Sequence, residues 1–207
     1  MAIKKQLGGK VMTELPWGSL FGLLFMTMGP IRAIAVYSHV GETDDAPGVQ
    51  ALAFRSAAMV AAAFVMTVLV GSAVLQAWGV SFPALIAAAG LVLMALSLQA
   101  LMTPAPPAAV INAEKVPAAS IAFPGLFPPI AVAVPLIFAA PFPGWDTKLG
   151  ILGLGFGVIF VNWLLMRHSK AILRAIGPVP LQLFGAVFGL LQLSLGLEFI
   201  LDAWKML

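Results

Sequence analysis

The chain has 207 residues, of which 61% are hydrophobic and 9% charged, with a formal charge of +3 and no cysteine. A soluble domain is near 45–50% apolar and about 25% charged, so a single globular core in water is excluded and the chain reads as a membrane protein. The missing cysteines exclude disulfides, thiolate nucleophiles and thiolate-held iron–sulfur clusters, and cations scattered without a basic cluster speak against a nucleic-acid partner.

At roughly 20 residues per spanning helix, the length has room for about six or seven spans and no separate soluble domain. Residues 1–14 form a polar tail with Lys4, Lys5 and Lys10. The first apolar run, Leu15 to His39, carries one charge, Arg32. It is too long for a secretory signal and ends without a small-residue cleavage site, so it reads as a retained span. A charged turn follows, Gly41-Glu42-Thr43-Asp44-Asp45-Ala46-Pro47-Gly48, and then a second span from Ala51 to Trp78. Gly79 to Pro83 is a tight connection into a third span, Ala84 to Met102. Residues 104–120 hold Pro104, Pro106, Pro107 and Pro117 beside Asn112, Glu114 and Lys115. That segment is too proline-rich for a helix and too polar for lipid, and it divides the chain near its middle. A fourth apolar segment covers Ile121 to Ala140, a fifth Leu149 to Met166 and a sixth Leu181 to Ala203.

Six spans place both termini on one face. Lys4, Lys5, Lys10, Lys148 and Lys205 fall on that face, and Arg55, Lys115, Arg167, Lys170 and Arg174 on the other. The positive-inside rule is therefore tied, and only the lysines ahead of the first span lean towards a cytoplasmic N-terminus.

The second half can be laid on the first at an offset of just under a hundred residues. Gly29-Pro30-Ile31 then meets Pro128-Pro129-Ile130, Pro83 meets Pro180, and Leu96-Ser97-Leu98 meets Leu193-Ser194-Leu195. Repeats of three spans, an odd number, enter the membrane from opposite sides. This is the inverted plan of many secondary transporters, whose site lies near the midplane on helices interrupted by Pro or Gly. The expected fold is an all-α polytopic membrane protein of six transmembrane helices, arranged as two inverted three-helix repeats over residues 15–103 and 121–207. Its first helix is broken at Gly29-Pro30, and its fourth among Pro124, Gly125, Pro128, Pro129 and Pro135. Unwound backbone at that depth persists only where it is buried in protein or lines a cavity. A lone Gly-Pro kink, by contrast, is more simply a packing feature.

With these features in this order, the chain resembles the MarC family of bacterial inner-membrane proteins, some of whose members are described as neutral amino-acid transporters. The resemblance covers nearly the whole chain. It rests on Gly29-Pro30-Ile31 in the first span, the Gly79 to Pro83 turn before an Ala/Gly-rich third span, and Ile121-Ala122-Phe123-Pro124 leading into a Pro-rich fourth. It rests also on the ending, Gly185 through Phe188-Gly189-Leu190-Leu191 to Gly196, Glu198, Phe199 and Ile200. The chain departs from the family pattern at two places. Gly29 stands where Asn precedes Pro in most members, and Phe127-Pro128-Pro129-Ile130-Ala131-Val132 stands where the family has small polar residues with a Gly-Pro-Gly turn. Thr27 and backbone groups are the polar material left at the breaks.

Arg32 is the sharpest single feature, because a cation inside the membrane is expensive. It lies about 10 Å below the end of its span by the helical rise, and Arg55 opens the next span from the same face. Together they could hold a carboxylate or a lipid phosphate. More simply, each snorkels to the headgroups or pairs with Glu42, Asp44 or Asp45. Glu198, followed by Asp202 and Lys205, marks a helix end entering water more simply than a proton carrier. Asn162, Gln182, Gln192, Ser97 and Ser194 read as interhelical hydrogen-bond partners. His39 and His168 share a face, where haem ligation is conceivable but an interfacial role is simpler. Trp17, Trp78, Trp145, Trp163 and Trp204 lie near span ends, as an aromatic belt does. There is no catalytic dyad, metal-spaced cluster or phosphate-cradling motif, so no enzyme activity, metal or cofactor is expected.

Two functions follow. The first is a MarC-like secondary transporter of small solutes such as neutral amino acids in the bacterial inner membrane, with Thr27, Gly29, Pro30, Arg32, Pro128 and Pro129 at its site and Arg32 and Arg55 as anion or headgroup contacts. The second is a non-transporting structural or assembly subunit of a larger membrane complex, its site filled by apolar side chains. The expected partners are the lipid bilayer, a small solute, and either further copies of the chain or other subunits.

Overall fold

The computed structural model describes residues 17–29, 33, 34, 37, 40, 47–102, 113, 116–142 and 144–207. Pro30, Arg32, His39, the acidic turn and Lys115 lie outside the described residues. Within them the regular structure is helical, and no strand occurs. α1, Trp17–Thr27, is short and, apart from Ser19 and Thr27, apolar. It ends where Thr27 turns its hydroxyl back on its own helix, donating to the Leu23 carbonyl at 2.8 Å, just ahead of Gly29 and a proline that disfavours helical backbone before it. α2, Pro47–Ala77, opens on a proline, whose fixed φ suits a first helical turn. Gly79, with φ 65°, makes the turn into α3, Phe82–Met102. The left-handed backbone there favours a residue without a Cβ.

The fourth segment is not one helix. α4, Ala118–Leu126, is a single α-turn that widens into π-type turns, with Phe123 off helical geometry at φ −126° and ψ 124° ahead of Pro124. Phe127-Pro128-Pro129 interrupts it, and α5, Ile130–Ala139, leaves at a bend of 58°. Prolines remove the backbone donors a continuous helix needs, which forces the break. Ile121, Ala122, Leu126, Phe127, Pro128, Ile130, Ala131 and Val134 are buried, while Phe123, Pro124 and Pro129 are exposed, so the irregular segment is covered by protein on one side only. α6, Trp145–Arg167, a short amphipathic α7, Ser169–Ile176, and α8, Pro178–Lys205, complete the chain. α7 falls in what reads from sequence as a connecting loop.

Among the described residues four helices are long and apolar enough to cross a membrane, α2, α3, α6 and α8, and the bent pair α4–α5 makes up to five if counted as one span. At 11 residues α1 is too short to cross alone. The protein is an all-helical integral membrane protein.

Without a hydrophobic drive between helices in lipid, close packing of small residues holds such bundles together. α2 and α6 run antiparallel, with the Phe64 ring laid on Gly155 where a Cβ would collide with it. α3 and α8 also run antiparallel. A Cβ on Gly90 would lie 2.6 Å from the Gly196 carbonyl oxygen, and one on Gly196 would lie 2.8 Å from that of Gly90. α1 runs parallel to α6, from Trp17 over Gly150 to Met28 beside Asn162. α4 and α5 run parallel to α2 in the same way, from Ala118, whose carbonyl accepts from Ser56 Oγ at 3.3 Å, to Leu136 against Gly71. These directions put Trp17, Trp78, Trp145 and Trp204 at one end of the bundle, all exposed, and Arg55, Trp163, Arg167 and Arg174 at the other.

Candidate functional site at the broken helices

A helix end leaves its last carbonyls without intrahelical donors, and inside a membrane side chains must supply them. At the end of α1 two amides do so. Asn162 Nδ2 on α6 donates to the Met28 carbonyl at 2.8 Å, and Gln192 Nε2 on α8 donates to the Met26 carbonyl. Asn162 is 3% exposed and Gln192 6%. Since a carbonyl can only accept, Met28 obliges the NH2 of Asn162 to face it, which turns Oδ1 the other way. That oxygen is buried and has no hydrogen-bond partner among the described residues. A buried acceptor left unpaired costs about 1–3 kcal/mol, so the feature asks for a reason. Asn162 lines a narrow cleft with Ala57, Val60, Leu126, Ile159 and Met166 that has no room for a water molecule.

The second break is closed by rings instead. Phe64 meets Phe127 edge to face at 6.5 Å between centroids, and Phe123 meets Phe127 in the same manner at 5.9 Å. Phe127 follows Met28, and Asn162 follows Phe64, by nearly the same number of residues. The contact of α6 with the first break and the contact of α2 with the second therefore fall at matching positions. One position carries an amide and the other a phenyl ring. The correspondence extends outward, for Phe64 packs on Gly155 while Asn162 shares its cleft with Ala57.

Comparison with known proteins places these features in a family. The model of the MarC family of integral membrane proteins matches residues 16–207, nearly the whole chain. The chain belongs to the MarC family. It is also 27% identical over 89 residues to a UPF0056 membrane protein of Buchnera aphidicola subsp. Schizaphis graminum (strain Sg), a match that covers 43% of this chain and 42% of that relative. The chain thus spans less than half the length of the curated relative it matches. No solved structure matches it.

Of the site residues expected in this MarC-family protein, Thr27 and Gly29 are buried at the end of α1, and Pro128 is buried at the second break while Pro129 is exposed. Pro30 and Arg32 lie outside the described residues. The Thr27 hydroxyl is engaged with its own helix at Leu23, with a longer contact of 3.4 Å to Leu24. Arg55 is exposed near the start of α2. On that face a groove of about 330 Å³ is lined by Gln50, Ala51, Ala53, Phe54, Trp163 and Arg167, with the Arg167 guanidinium 5.8 Å over the Trp163 ring.

Asn162 and Gln192 do bond between helices, as lone polar residues in apolar spans suggest. Their place at the break was not legible, because 134 residues separate Asn162 from Met28. Ser97 and Ser194 behave differently. They donate to the Leu93 and Leu190 carbonyls of their own helices, at 2.6 and 3.0 Å, which satisfies the hydroxyl locally without a partner helix. Gln182 is exposed. Asp202 pairs with Lys205 at 3.3 Å at the exposed end of α8, where Glu198 is exposed too. No group of three metal-ligating side chains occurs among the described residues.

Proposed function

We propose that this MarC-family protein is a secondary transporter of small neutral solutes, neutral amino acids among them, in the bacterial inner membrane. In this reading α1 begins a broken first span and α4–α5 form a broken fourth, giving six spans in two inverted halves that rock against each other. The observation that carries it is the exchange relation between the halves. α2 pairs antiparallel with α6 and α3 with α8, while the parallel contact of α1 with α6 recurs as that of α4 with α2. Both breaks meet the same central pair of helices, as an alternating-access site between repeats requires. Proteoliposome uptake and counterflow of labelled alanine, serine and leucine test the reading. Saturable, protein-dependent flux is expected, and flux equal to that of empty liposomes would sink it.

A second reading has its own support. The cleft beside Asn162 is dry and Phe64 fills the matching position, as in a MarC fold kept as a structural subunit of a larger membrane complex. Stable copurification with other subunits in gentle detergent, together with absent flux, is the outcome that favours it.

A further inference from the structure

Resting on the transport reading, and narrowing it from zwitterionic amino acids to solutes without charged groups, we propose that Asn162 Oδ1 is the receptor for the hydrogen-bond donor of the solute, and that the solute is an uncharged molecule with an N–H or O–H at one end and an apolar body at the other. Three features of the site lead there. The oxygen is buried and unpartnered, and its direction is set by the bond from Nδ2 to the Met28 carbonyl, so it can only accept. The Met26 and Met28 carbonyls at the first break are taken up by the Gln192 and Asn162 amides, and Asn162 Oδ1, an acceptor without a hydrogen, repels an anion; Arg32 lies outside the described residues. Of the residues lining the cleft with Asn162, namely Ala57, Val60, Leu126, Ile159 and Met166, none carries a charge to balance a desolvated cation. An apolar wall with one acceptor selects by hydrogen bonding at one end and by shape at the other.

The halves also differ in a way that fits such a molecule. Where α6 presents Asn162 to the first break, α2 presents Phe64 to the second, edge-on to Phe127. A solute in the cleft has its donor end held by Asn162 and its body against Ala57, Val60, Leu126, Ile159 and Met166. In the closed arrangement the cleft excludes even water, so the solute enters only when the halves part.

The test uses the full chain in lipid nanodiscs and three probes of one shape and different charge: butyramide, butyrate and n-butylammonium. Ligand-observed saturation-transfer NMR is expected to show binding of butyramide, and binding of each charged probe at least tenfold weaker. Asn162→Leu is expected to weaken butyramide binding at least tenfold. Because that variant also leaves the Met28 carbonyl unpaired and can harm folding, Ala57→Leu serves as a second variant. It crowds the cleft while leaving Asn162 free to keep its bond to Met28, and the same loss of binding is expected, with helix content retained and the unfolding temperature lowered by overpacking. Equal binding of the three probes, no binding of butyramide to the wild type, or butyramide binding unchanged in Ala57→Leu would each overturn the assignment. Flux of an uncharged amide that persists in Asn162→Leu would overturn it while leaving the transport reading intact. Donor-selective binding without any flux would support the assignment and count against transport.

Discussion

At the scale of single residues, the packing in this protein turns on glycine facing something large. Phe64 is fully buried, with its ring on Gly155 and its edge to Phe127. Truncation to Ala leaves a ring-sized void that the neighbouring helices cannot close. Phe64→Ala is expected to lower stability by about 3–5 kcal/mol in reversible unfolding from mixed micelles. Gly155→Val is expected to destabilise by forcing the ring aside, and Phe64→Leu in the same chain to recover part of that loss, a coupling that a double-mutant cycle reads directly. Gly153 and Gly157, on the same helix with open space where a Cβ would go, are the controls: alanine at either should cost nothing measurable. This division among glycines was hidden in the sequence. The run Gly150 to Gly157 shows only that α6 is rich in small residues, and which of them are contacted depends on a partner far away in the chain.

At the scale of elements, the antiparallel pair α3 and α8 meets through two backbones with nothing between. Each carbonyl at Gly90 and Gly196 stands where the other glycine's Cβ would be. Gly90→Val is therefore expected to separate the pair and cost about 1–3 kcal/mol, measured as a lower unfolding temperature and loss of α8 amide protection in hydrogen exchange. Where elements lie was largely legible. Hydropathy alone locates α2, α3, α6 and α8 to within a few residues at each end, because a span is a long run with no competing signal. The proline-rich fourth segment announces its break by the same logic that forbids a continuous helix. α7 was missed for a physical reason. Its eight residues, Ser-Lys-Ala-Ile-Leu-Arg-Ala-Ile, sit between two spans and set two cations among five apolar positions, too short a stretch to stand out from a loop joining two apolar spans. The amides of Asn162 and Gln192 were legible as bonding groups but not as caps on α1, since a cap supplied from another helix leaves no local motif.

At the scale of the whole molecule, the helix directions divide the ends of the bundle into two sets. Lys148 and Lys205 share the end bearing Trp17, Trp78 and Trp145, and Arg55 and Arg174 share the other. Because the chain has no cysteine, single cysteines at these positions report sidedness without background. Membrane-impermeant maleimide applied to right-side-out and inverted vesicles is expected to label Lys148→Cys and Lys205→Cys from one side, and Arg55→Cys and Arg174→Cys from the other. Labelling of Lys148→Cys and Arg174→Cys from the same side would contradict the arrangement. The result also fixes the orientation that the tied lysine and arginine count leaves open.

The claim on which the rest depends is that the closed cleft beside Asn162 opens when the halves move. Ala57 lines that cleft and is buried, so an Ala57→Cys variant places one thiol in it. Its reaction with a small, membrane-impermeant methanethiosulfonate is the direct measurement, followed in oriented vesicles with and without neutral amino acids. Alternating access predicts modification from an aqueous face, at a rate that changes when solute is added. A thiol that stays unreactive from both faces, with and without solute, would show a permanently packed cleft and contradict the account.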